Sequence, residues 1–348
     1  MTAIIILNWN GYKDTIECLE TLYKMQSEFY VIITDNASTD NSVENISHYL
    51  TISKIKHLVL TAGECLSEAP SLHECIIYKK NQNLGFAKGN NEALRLIANY
   101  LPQHVLLLNN DTLVEPDFLD KLNSFALTHT DIPVLTPMIC LERSRNIIWN
   151  CGGRMKYGFR RYYYADRPVS EVKEKEFLPI SFITGCALFF TPSLTKESTF
   201  SYKVKNNITS KEVPLLLPDG GIFTERFFFG EEDFNFSMRM NKNKIKMACV
   251  LTSKIYHKVS ASTGSKNQFG KIYIHYLNRF IDTRQQTSSF FFFLWECINL
   301  LYIPLSLFKR RKMSLIKAIK LTLRVATNAR KKNSVSQTDF IEAINQKA

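Results

Sequence analysis

Apolar runs of strand length alternate with helical patterns over the first 140 residues of this 348-residue chain. The strand-like runs are rich in β-branched residues and lie at 2–7, 29–34, 75–79 and 105–108. Helical patterns lie at about 13–25, 42–49 and 90–101, with Asp40 and Ser42 as expected N-cap residues of the second. Strands separated by helices form βαβ units, so we predict an α/β fold with a mostly parallel sheet flanked by helices.

Polar clusters follow three of these predicted strands directly. They occupy residues 8–11, 35–40 and 109–111. In open parallel sheets, ligands bind beyond the carboxyl ends of the strands. The sequence therefore predicts a ligand site at that edge of the sheet.

The positive charge of the chain is concentrated near its C-terminus. The formal net charge is +12, but residues 309–332 carry ten Lys and Arg, and the remainder is close to +2. A charge confined to one segment gives no reason to expect a nucleic-acid partner for the main domain.

The cysteines of the chain include no CxxC pair, which argues against a zinc ribbon or a disulfide framework.

A long apolar stretch precedes the basic segment. Residues 290–308 contain one acid, Glu296, and are long enough to span a bilayer. The first apolar run, 2–7, is too short for a signal sequence, so we expect a cytoplasmic main domain. The basic residues 309–312, which follow the apolar stretch, also prefer the cytoplasmic side. A single membrane span would place the main domain and these residues on opposite sides, so it does not fit both preferences.

The next stretch has the pattern of a helix that lies in a membrane interface. One arc of residues 313–331 is apolar and comprises Leu315, Ile316, Ile319, Leu323 and Ala326. A second arc is basic and comprises Lys317, Lys320, Arg324 and Lys331. We therefore expect association with the anionic inner surface of the cell membrane. The alternative is a terminal helix packed on the domain with a solvated basic face.

Two segments near the predicted sheet edge suit a nucleotide. Asp35 closes a strand, where a carboxylate can accept a hydrogen bond from the imide of uracil or thymine, although such residues often only form turns. Residues 81–91 place Lys88 between Gly85 and Gly89 at the start of a helical pattern. Backbone amides and a cation there suit a diphosphate, but a glycine turn with a helix cap explains them equally well.

Acidic residues provide the candidates for metal binding and proton transfer. Asp111, after a predicted strand, suits Mg²⁺ or Mn²⁺ that takes its other ligands from phosphates and water; the alternative is an ordinary turn. Three consecutive acids at 231–233 open a helical pattern and either complement the helix dipole or include a general base. His257 follows 24 residues after Asp233, and a single His is more often structural.

In their order along the chain these motifs resemble family 2 glycosyltransferases of the GT-A fold, particularly the bacterial rhamnosyltransferase-like branch. The resemblance covers about residues 1–265 and rests on Asn8–Gly11, Asp35–Asp40, Asn83–Asn91, Asn109–Asp111, Glu232-Asp233 with Arg239, and His257. It implies a donor half at 1–115, an acceptor half at 116–265, and a helical, basic, membrane-associating region at 266–348.

The resemblance also implies roles for individual residues. Those implied in donor binding are Asn8, Asn10, Asp35, Asn83, Gly85, Lys88, Asn109, Asn110 and Asp111. It implies Asp111 and His257 as ligands of Mn²⁺ or Mg²⁺, and Asp233 with Glu232 as the catalytic pair. Gly185 and Arg239 fall on the acceptor side. The chain departs from the usual pattern at Asn109, where the first acid of the DxD motif is expected, and at Asn235, where another acid usually follows.

The implied activity is inverting, metal-dependent transfer of one sugar, with rhamnose favoured, from a dTDP- or UDP-sugar. The implied acceptor is a lipid-linked oligosaccharide in bacterial surface polysaccharide synthesis, such as O-antigen or capsule. No Trp follows an Arg, so the QxxRW signature of processive synthases is missing. One alternative is a nucleotidyltransferase, which would have a glycine- and lysine/arginine-rich loop directly after the first strand; residues 8–11 do not form such a loop. The other is an inactive carbohydrate-binding or membrane scaffold, which would be expected to have lost Asp111 or Asp233, and both are present.

Overall fold

The computed structural model describes residues 1–100, 102–156, 159–194, 200–205, 210–214, 217, 219–259 and 268–345. Within these ranges, only the backbone is described for 193–194, 200–205 and 210–214. The strands of the described residues are β1 Thr2–Asn8, β2 Phe29–Asp35, β3 His57–Thr61, β4 Cys75–Lys79, β5 His104–Asn109, β6 Thr112–Val114, β7 Val134–Leu141, β8 Ser144–Asn150, β9 Gly153–Lys156, β10 Phe159–Tyr162, β11 Phe177–Ile180, β12 Ala187–Phe190, β13 Ser193–Leu194, β14 Phe200–Lys205, β15 Ser210–Pro214 and β16 Met247–His257. The helices are α1 Tyr12–Leu22, α2 Ser42–Ile52, α3 Gly85–Leu96, α4 Phe118–Thr128, α5 Glu232–Lys242, α6 Gln268–Gln286, α7 Ser289–Lys309, α8 Leu315–Lys331 and α9 Gln337–Asn345.

One large sheet organises the first three quarters of the chain. Its strand order is β11-β16-β7-β12-β5-β1-β2-β4-β3, with β6 paired to β16 and β8 to β7. Strands β3, β4, β2, β1 and β5 are parallel, whereas β12 runs antiparallel to both β5 and β7. This mostly parallel, mixed sheet flanked by helices confirms the predicted fold class.

Helices cover both faces of the sheet. Along β1, Ala3 and Ile5 pack towards α3 and α5, while Ile4 and Ile6 pack towards α1, α2 and α4. All four side chains are fully buried. Strands covered on both faces have continuous rather than alternating apolar sequences, which is why the central strands were recognisable from sequence.

Three local predictions differ from the structure. Strand β3 was not predicted, because it lies at the sheet edge and leaves Leu58 and Val59 exposed. The N-cap of α2 is Asn41, in the left-handed conformation, whereas Ser42 donates its hydroxyl hydrogen bond to Asp40. The prediction of Asp40 and Ser42 as N-caps was therefore wrong. Helix α3 begins at residue 85 rather than at 90.

The last four helices have a core of their own. Apolar residues of α6, α7 and α8 pack together, and Phe227 and Val335 connect this core to the sheet domain through a short β-bridge. In α7, the buried Glu296 is paired with Arg330 of α8 at 2.7 Å, which explains an acid inside an apolar helix. Among the described residues, α7 is the one helix long and apolar enough to cross a membrane.

The outer faces of α7 and α8 carry many apolar side chains. On α7 the exposed ones are Phe290, Phe293, Leu294, Ile298, Leu301, Tyr302, Leu305 and Phe308. On α8, Leu315, Ile316, Ile319 and Leu323 are exposed, as expected for the predicted apolar arc. Ala326 was wrongly included in that arc: it is 6% exposed and packs into the helical core.

Candidate active site

The predicted polar clusters meet at the carboxyl ends of the central strands. Asn8 is level with Asp35 on the neighbouring strand, and Leu7 is level with Asn109. The side-chain amide of Asn8 donates to Asp35 Oδ1 at 2.8 Å, and the backbone amide of Ser38 donates to Asp35 Oδ2 at 3.1 Å. Asp35 is 1% exposed. Its carboxylate is therefore fixed, and each oxygen keeps a lone pair for a further donor.

A chain of hydrogen bonds connects this edge with α1. Asn110 donates to the hydroxyl of Thr15 at 3.1 Å, and Thr15 donates to Asn8 Oδ1 at 2.8 Å. Asn10 accepts from the backbone amide of Thr39 at 2.7 Å. The predicted residues Asn8, Asn10 and Asn110 thus join β1, β5 and the loop after β2, and Thr15 is a member that sequence reasoning missed.

The segment before α3 is held by amide side chains. Asn36 donates to Asn83 Oδ1 at 2.8 Å and accepts from the amide of Leu84 at 2.8 Å. Asn83 also accepts from the amide of Gly85 at 2.9 Å. These bonds satisfy backbone donors at the start of α3, so the helix begins earlier than its apolar periodicity indicates. Lys88, one turn further on, is half-buried.

Gly85 is in contact with another part of the site. Its φ is +78°, and a Cβ atom there would lie 2.0 Å from the carbonyl oxygen of Phe228. The amide of Phe86 donates to that same oxygen at 3.2 Å. The segment before α3 therefore lies directly against the chain that leads into the acidic residues 231–233.

Asp111 and His257 lie side by side. His257 Nε2 is 3.1 Å from Asp111 Oδ1, and both residues are 8% exposed. They meet because β6 pairs with the end of β16, with Thr112 opposite His257. The ring of Trp149 packs edge-on against His257, with centroids 4.4 Å apart.

Next to this pair, Lys258 joins the end of β16 to α1. Its ammonium contacts Asp14 at 2.7 Å and Glu17 at 2.6 Å, while its backbone amide donates to the carbonyl of Asp111 at 3.0 Å. No sequence motif indicated this role of Lys258.

The pair Asp111–His257 fits a divalent cation. Among the residues that the structure describes, the buried imidazole Nδ1 of His257 has no hydrogen-bond partner, and Nε2 faces the carboxylate. One carboxylate oxygen and one imidazole nitrogen suit Mn²⁺, whereas Mg²⁺ prefers oxygen ligands alone. The described residues contain no group of three or more His, Cys, Asp or Glu that could hold a metal, so diphosphate and water would have to complete the coordination.

The three acids at 231–233 have different surroundings. Glu231 is buried, forms an ion pair with Arg279, and has a pKa raised by burial despite that arginine. Burial, followed by the charge of Asp233, raises the pKa of Glu232 to about 8. The side chain of Asp233 is 21% exposed, and Arg160 lies 3.8 Å from its carboxylate. Asp233 is therefore the acid that is open to an incoming group, and Glu232 is enclosed and protonated near neutral pH.

Helix α6 holds the acidic segment from the C-terminal region. Asn278 donates to the carbonyl of Phe229 at 2.9 Å, and Arg279 lies over the ring of Phe234. Asn235 donates to Asp282 at 2.5 Å. Burial raises the pKa of Asp282 to about 7. An acid at 235 would face another carboxylate here, which accounts for the departure at Asn235.

Arg160, whose guanidinium lies 3.8 Å from the Asp233 carboxylate, was not identified from the sequence. It lies on β10, and its guanidinium also lies over the ring of Phe182 at 5.0 Å. Burial disfavours its charge, but the neighbouring carboxylates, Asp233 first, outweigh this and raise the pKa of Arg160. The sequence feature that could have indicated Arg160 is the density of cations at residues 154–161, which lie outside all of the predicted motifs.

Gly185 and Arg239, predicted on the acceptor side, lie in packed surroundings. A Cβ atom at Gly185 would be 3.2 Å from the ring of Phe86. Arg239 donates to the carbonyl of Ile222 at 2.5 Å, and burial lowers its pKa to about 10. These contacts place both residues between α3, α5 and the chain around 222, rather than on an open surface.

Comparison with known proteins identifies the family. The model for "Glycosyl transferase family 2" matches residues 3–191, more than half of the chain. Among solved structures, the mannosyltransferase PcManGT from Pyrobaculum calidifontis, in complex with GDP-Man and Mn²⁺, is similar with a TM-score of 0.53 and 12% identity, covering 98% of this chain and 78% of that one. Residues 1–349 of TarS from S. aureus align with a TM-score of 0.48 and 14% identity, covering 95% and 91%.

No curated protein matches the chain. Because the sequence identities to the solved structures are low, these similarities show the fold alone. The family is assigned from the match over residues 3–191. The chain belongs to glycosyl transferase family 2 and is a glycosyltransferase.

Proposed function

We propose that this protein is an inverting, metal-dependent glycosyltransferase that adds a single sugar to a lipid-linked oligosaccharide. The donor is a dTDP- or UDP-sugar, and the resemblance to the rhamnosyltransferase-like branch favours rhamnose. The pathway is the synthesis of a bacterial surface polysaccharide, such as O-antigen or capsule, at the inner face of the cell membrane. The observation that carries the proposal is the buried Asp111–His257 pair at the same sheet edge as the fixed carboxylate of Asp35.

Donor binding is assigned to residues 1–115. Asp35, held by Asn8 and Ser38, has free lone pairs for the imide N–H of uracil or thymine. In this proposal Lys88, half-buried in the first turn of α3 that begins at Gly85, provides positive charge for the diphosphate. Asn10, Asn83, Asn109 and Asn110 shape the loops around it.

Asp111 and His257 would hold Mn²⁺ or Mg²⁺, with the donor set favouring Mn²⁺. When bound, the cation supplies positive charge against the departing nucleoside diphosphate. The complex of the structurally similar PcManGT with GDP-Man and Mn²⁺ supports a nucleotide-sugar site with a divalent metal.

Acceptor contacts are assigned to residues 116–265, with Asp233 as the general base. Its carboxylate takes the proton of an acceptor hydroxyl, whose oxygen forms a bond to the anomeric carbon. The bond from that carbon to the diphosphate oxygen breaks on the opposite face, so the configuration inverts. Glu232 is enclosed and protonated near neutral pH, so it supports Asp233 rather than replacing it.

Residues 266–348 are assigned to membrane association. The outer face of α7 is apolar over more than four turns, and α8 also exposes Leu315, Ile316 and Ile319 beside Lys317 and Lys320. An apolar face flanked by cations suits the interface of an anionic membrane. The opposite face of α7 packs on α6 and α8, which favours a helix lying in the interface over one that crosses the bilayer.

The base assignment is tested with Asp233→Asn. We expect the variant to bind UDP or dTDP as the wild type does but to lose 10²- to 10⁴-fold in sugar transfer to a membrane lipid extract, since proton removal contributes about that factor. Asp219→Asn, which removes an exposed acid paired with Arg95, is the matched control and should transfer normally. Comparable transfer by Asp233→Asn would refute the assignment.

A further inference from the structure

The hairpin formed by β9 and β10 carries an unusual concentration of positive charge. Residues 153–162 include four cations, Arg154, Lys156, Arg160 and Arg161, and no acid. Arg154 and Arg161 are directly opposite each other on the two strands, and both are exposed. Like charges in that arrangement destabilise a hairpin unless an anion lies between them. A negatively charged partner bound at these two arginines would therefore stabilise the hairpin.

The two faces of this hairpin point to different surfaces. Because side chains alternate along a strand, Arg160 and Tyr162 share one face and Phe159 and Arg161 share the other. Arg160 reaches Asp233 at 3.8 Å. On the other face, the ring of Phe159 contacts Tyr302 of α7 edge-on, with centroids 6.0 Å apart.

Arg160 therefore faces the proposed base, whereas Arg154 and Arg161 share with Phe159 the face that meets α7. The hairpin thus lies between the base and the apolar outer face of α7. A lipid-linked sugar has the same order of chemistry: a reacting hydroxyl, then a phosphate or diphosphate, then a hydrocarbon chain. With the hydroxyl at Asp233 and the chain along Tyr302 and Leu305, the phosphate falls at the hairpin. A guanidinium group is well suited to phosphate because it can donate two parallel hydrogen bonds to two phosphate oxygens.

We infer that the β9–β10 hairpin binds the phosphate groups of a lipid-linked acceptor, with Arg154 and Arg161 as the main contacts. The inference rests on the proposed function and specifies how its acceptor is recognised. It commits to the phosphate of the acceptor carrier; the headgroup of a bulk anionic phospholipid is the competing source.

The test uses farnesyl diphosphate as the probe and farnesol as its uncharged counterpart. The full chain is first saturated with UDP and Mn²⁺, so that the probe cannot occupy the donor site, and binding is followed by titration calorimetry. For Arg154→Gln with Arg161→Gln we expect a 10- to 100-fold rise in the Kd for farnesyl diphosphate, and no change for farnesol. Arg154→Lys with Arg161→Lys keeps the charges but loses the guanidinium geometry, so its Kd for farnesyl diphosphate should lie between those of the wild type and the double-Gln variant.

The matched control is Lys173→Gln with Lys175→Gln, which removes two exposed charges elsewhere in the same half of the chain. It should bind farnesyl diphosphate as the wild type does. Wild-type affinity in the hairpin double-Gln variant would overturn the inference, as would an equal loss in the control pair.

Vesicles of phosphatidylglycerol distinguish the two sources of phosphate. The hairpin double-Gln variant should bind them within twofold of the wild type, and a loss as large as that for farnesyl diphosphate would assign the hairpin to bulk lipid instead. If the wild type binds UDP with Mn²⁺ but not farnesyl diphosphate, the hairpin inference fails while the donor site stands. If the wild type does not bind UDP, the proposed function itself fails.

Discussion

At the scale of single residues, burial separates the acids near α5 by role. Glu231 and Asp282 are enclosed and partnered by Arg279 and Asn235. Glu232 is enclosed as well, but its Oε2 has no hydrogen-bond partner in the described part of the chain. Asp233 alone among the three consecutive acids is open. The sequence showed three equivalent acids, and the distinction between them depends on α6, which lies more than thirty residues further along.

Glu232 should make folding stability depend on pH. Its folded pKa of about 8 lies above its ordinary 4.5, so the folded state keeps a proton that the unfolded state loses. This contribution is complete below pH 4.5 and is lost as the pH rises to about 8. Glu232→Gln removes the titratable carboxyl group, so this position no longer binds different numbers of protons in the folded and unfolded states. Relative to the wild type, we expect the variant to gain at least about 1 kcal/mol in the free energy of unfolding between pH 5 and pH 8.

Urea unfolding at several pH values measures this difference. Glu28→Gln, at an exposed position, is the control and should follow the wild-type profile. Parallel profiles for the wild type and Glu232→Gln would show that Glu232 is ionised in the folded protein, contrary to the environment described above.

At the scale of elements, the central strands and the position of the site were predictable, and the edges were not. Buried parallel strands leave continuous apolar runs, and the polar residues after them mark the carboxyl edge. Strand β3 leaves no such run because half of it faces solvent. The start of α3 depends on Asn36, whose partner Asn83 is 47 residues away, so local periodicity placed it too late.

The start of α3 provides a paired glycine test. Gly85 and Gly63 both have positive φ, but only Gly85 has a neighbour where a Cβ would be, the carbonyl of Phe228. Gly63→Ala should cost about 1–2 kcal/mol in the free energy of unfolding, from the backbone conformation alone. Gly85→Ala should cost about 2–4 kcal/mol because the clash adds to it, and it should lower transfer by displacing the chain towards Asp233. Chemical denaturation gives both values; equal costs would contradict the contact.

At the scale of the whole molecule, the C-terminal helices are connected to the chemistry. Asn278 and Arg279 hold the chain around Gly230 and Glu231, while α7 of the same helical group presents an apolar outer face. The sequence predicted a basic, apolar tail, but nothing in its pattern indicated that α6 supports the acidic segment. That support is a long-range contact between polar residues, and the hydrophobic period does not encode it.

Membrane binding should depend on the outer face of α7. For Phe293→Ser with Leu301→Ser, we expect binding to phosphatidylglycerol vesicles to weaken at least about tenfold, because two large apolar side chains no longer enter the interface. Ile52→Ser with Leu127→Ser removes two equally exposed apolar residues from α2 and α4, and it should have no effect. Cosedimentation measures the affinity. An equal effect of the two pairs, or undiminished binding of the first, would place the contact elsewhere.

The most direct test of the central claim is nucleotide binding that depends on a metal held by Asp111. The melting temperature is measured with UDP, dTDP and GDP, each with and without Mn²⁺, for the wild type, Asp111→Ala and the exposed control Asp131→Ala. We predict a rise of about 5 °C with UDP or dTDP that requires Mn²⁺, is retained in Asp131→Ala and is lost in Asp111→Ala. No rise with any nucleotide, or the same rise in Asp111→Ala, would contradict the assignment of the donor and metal site.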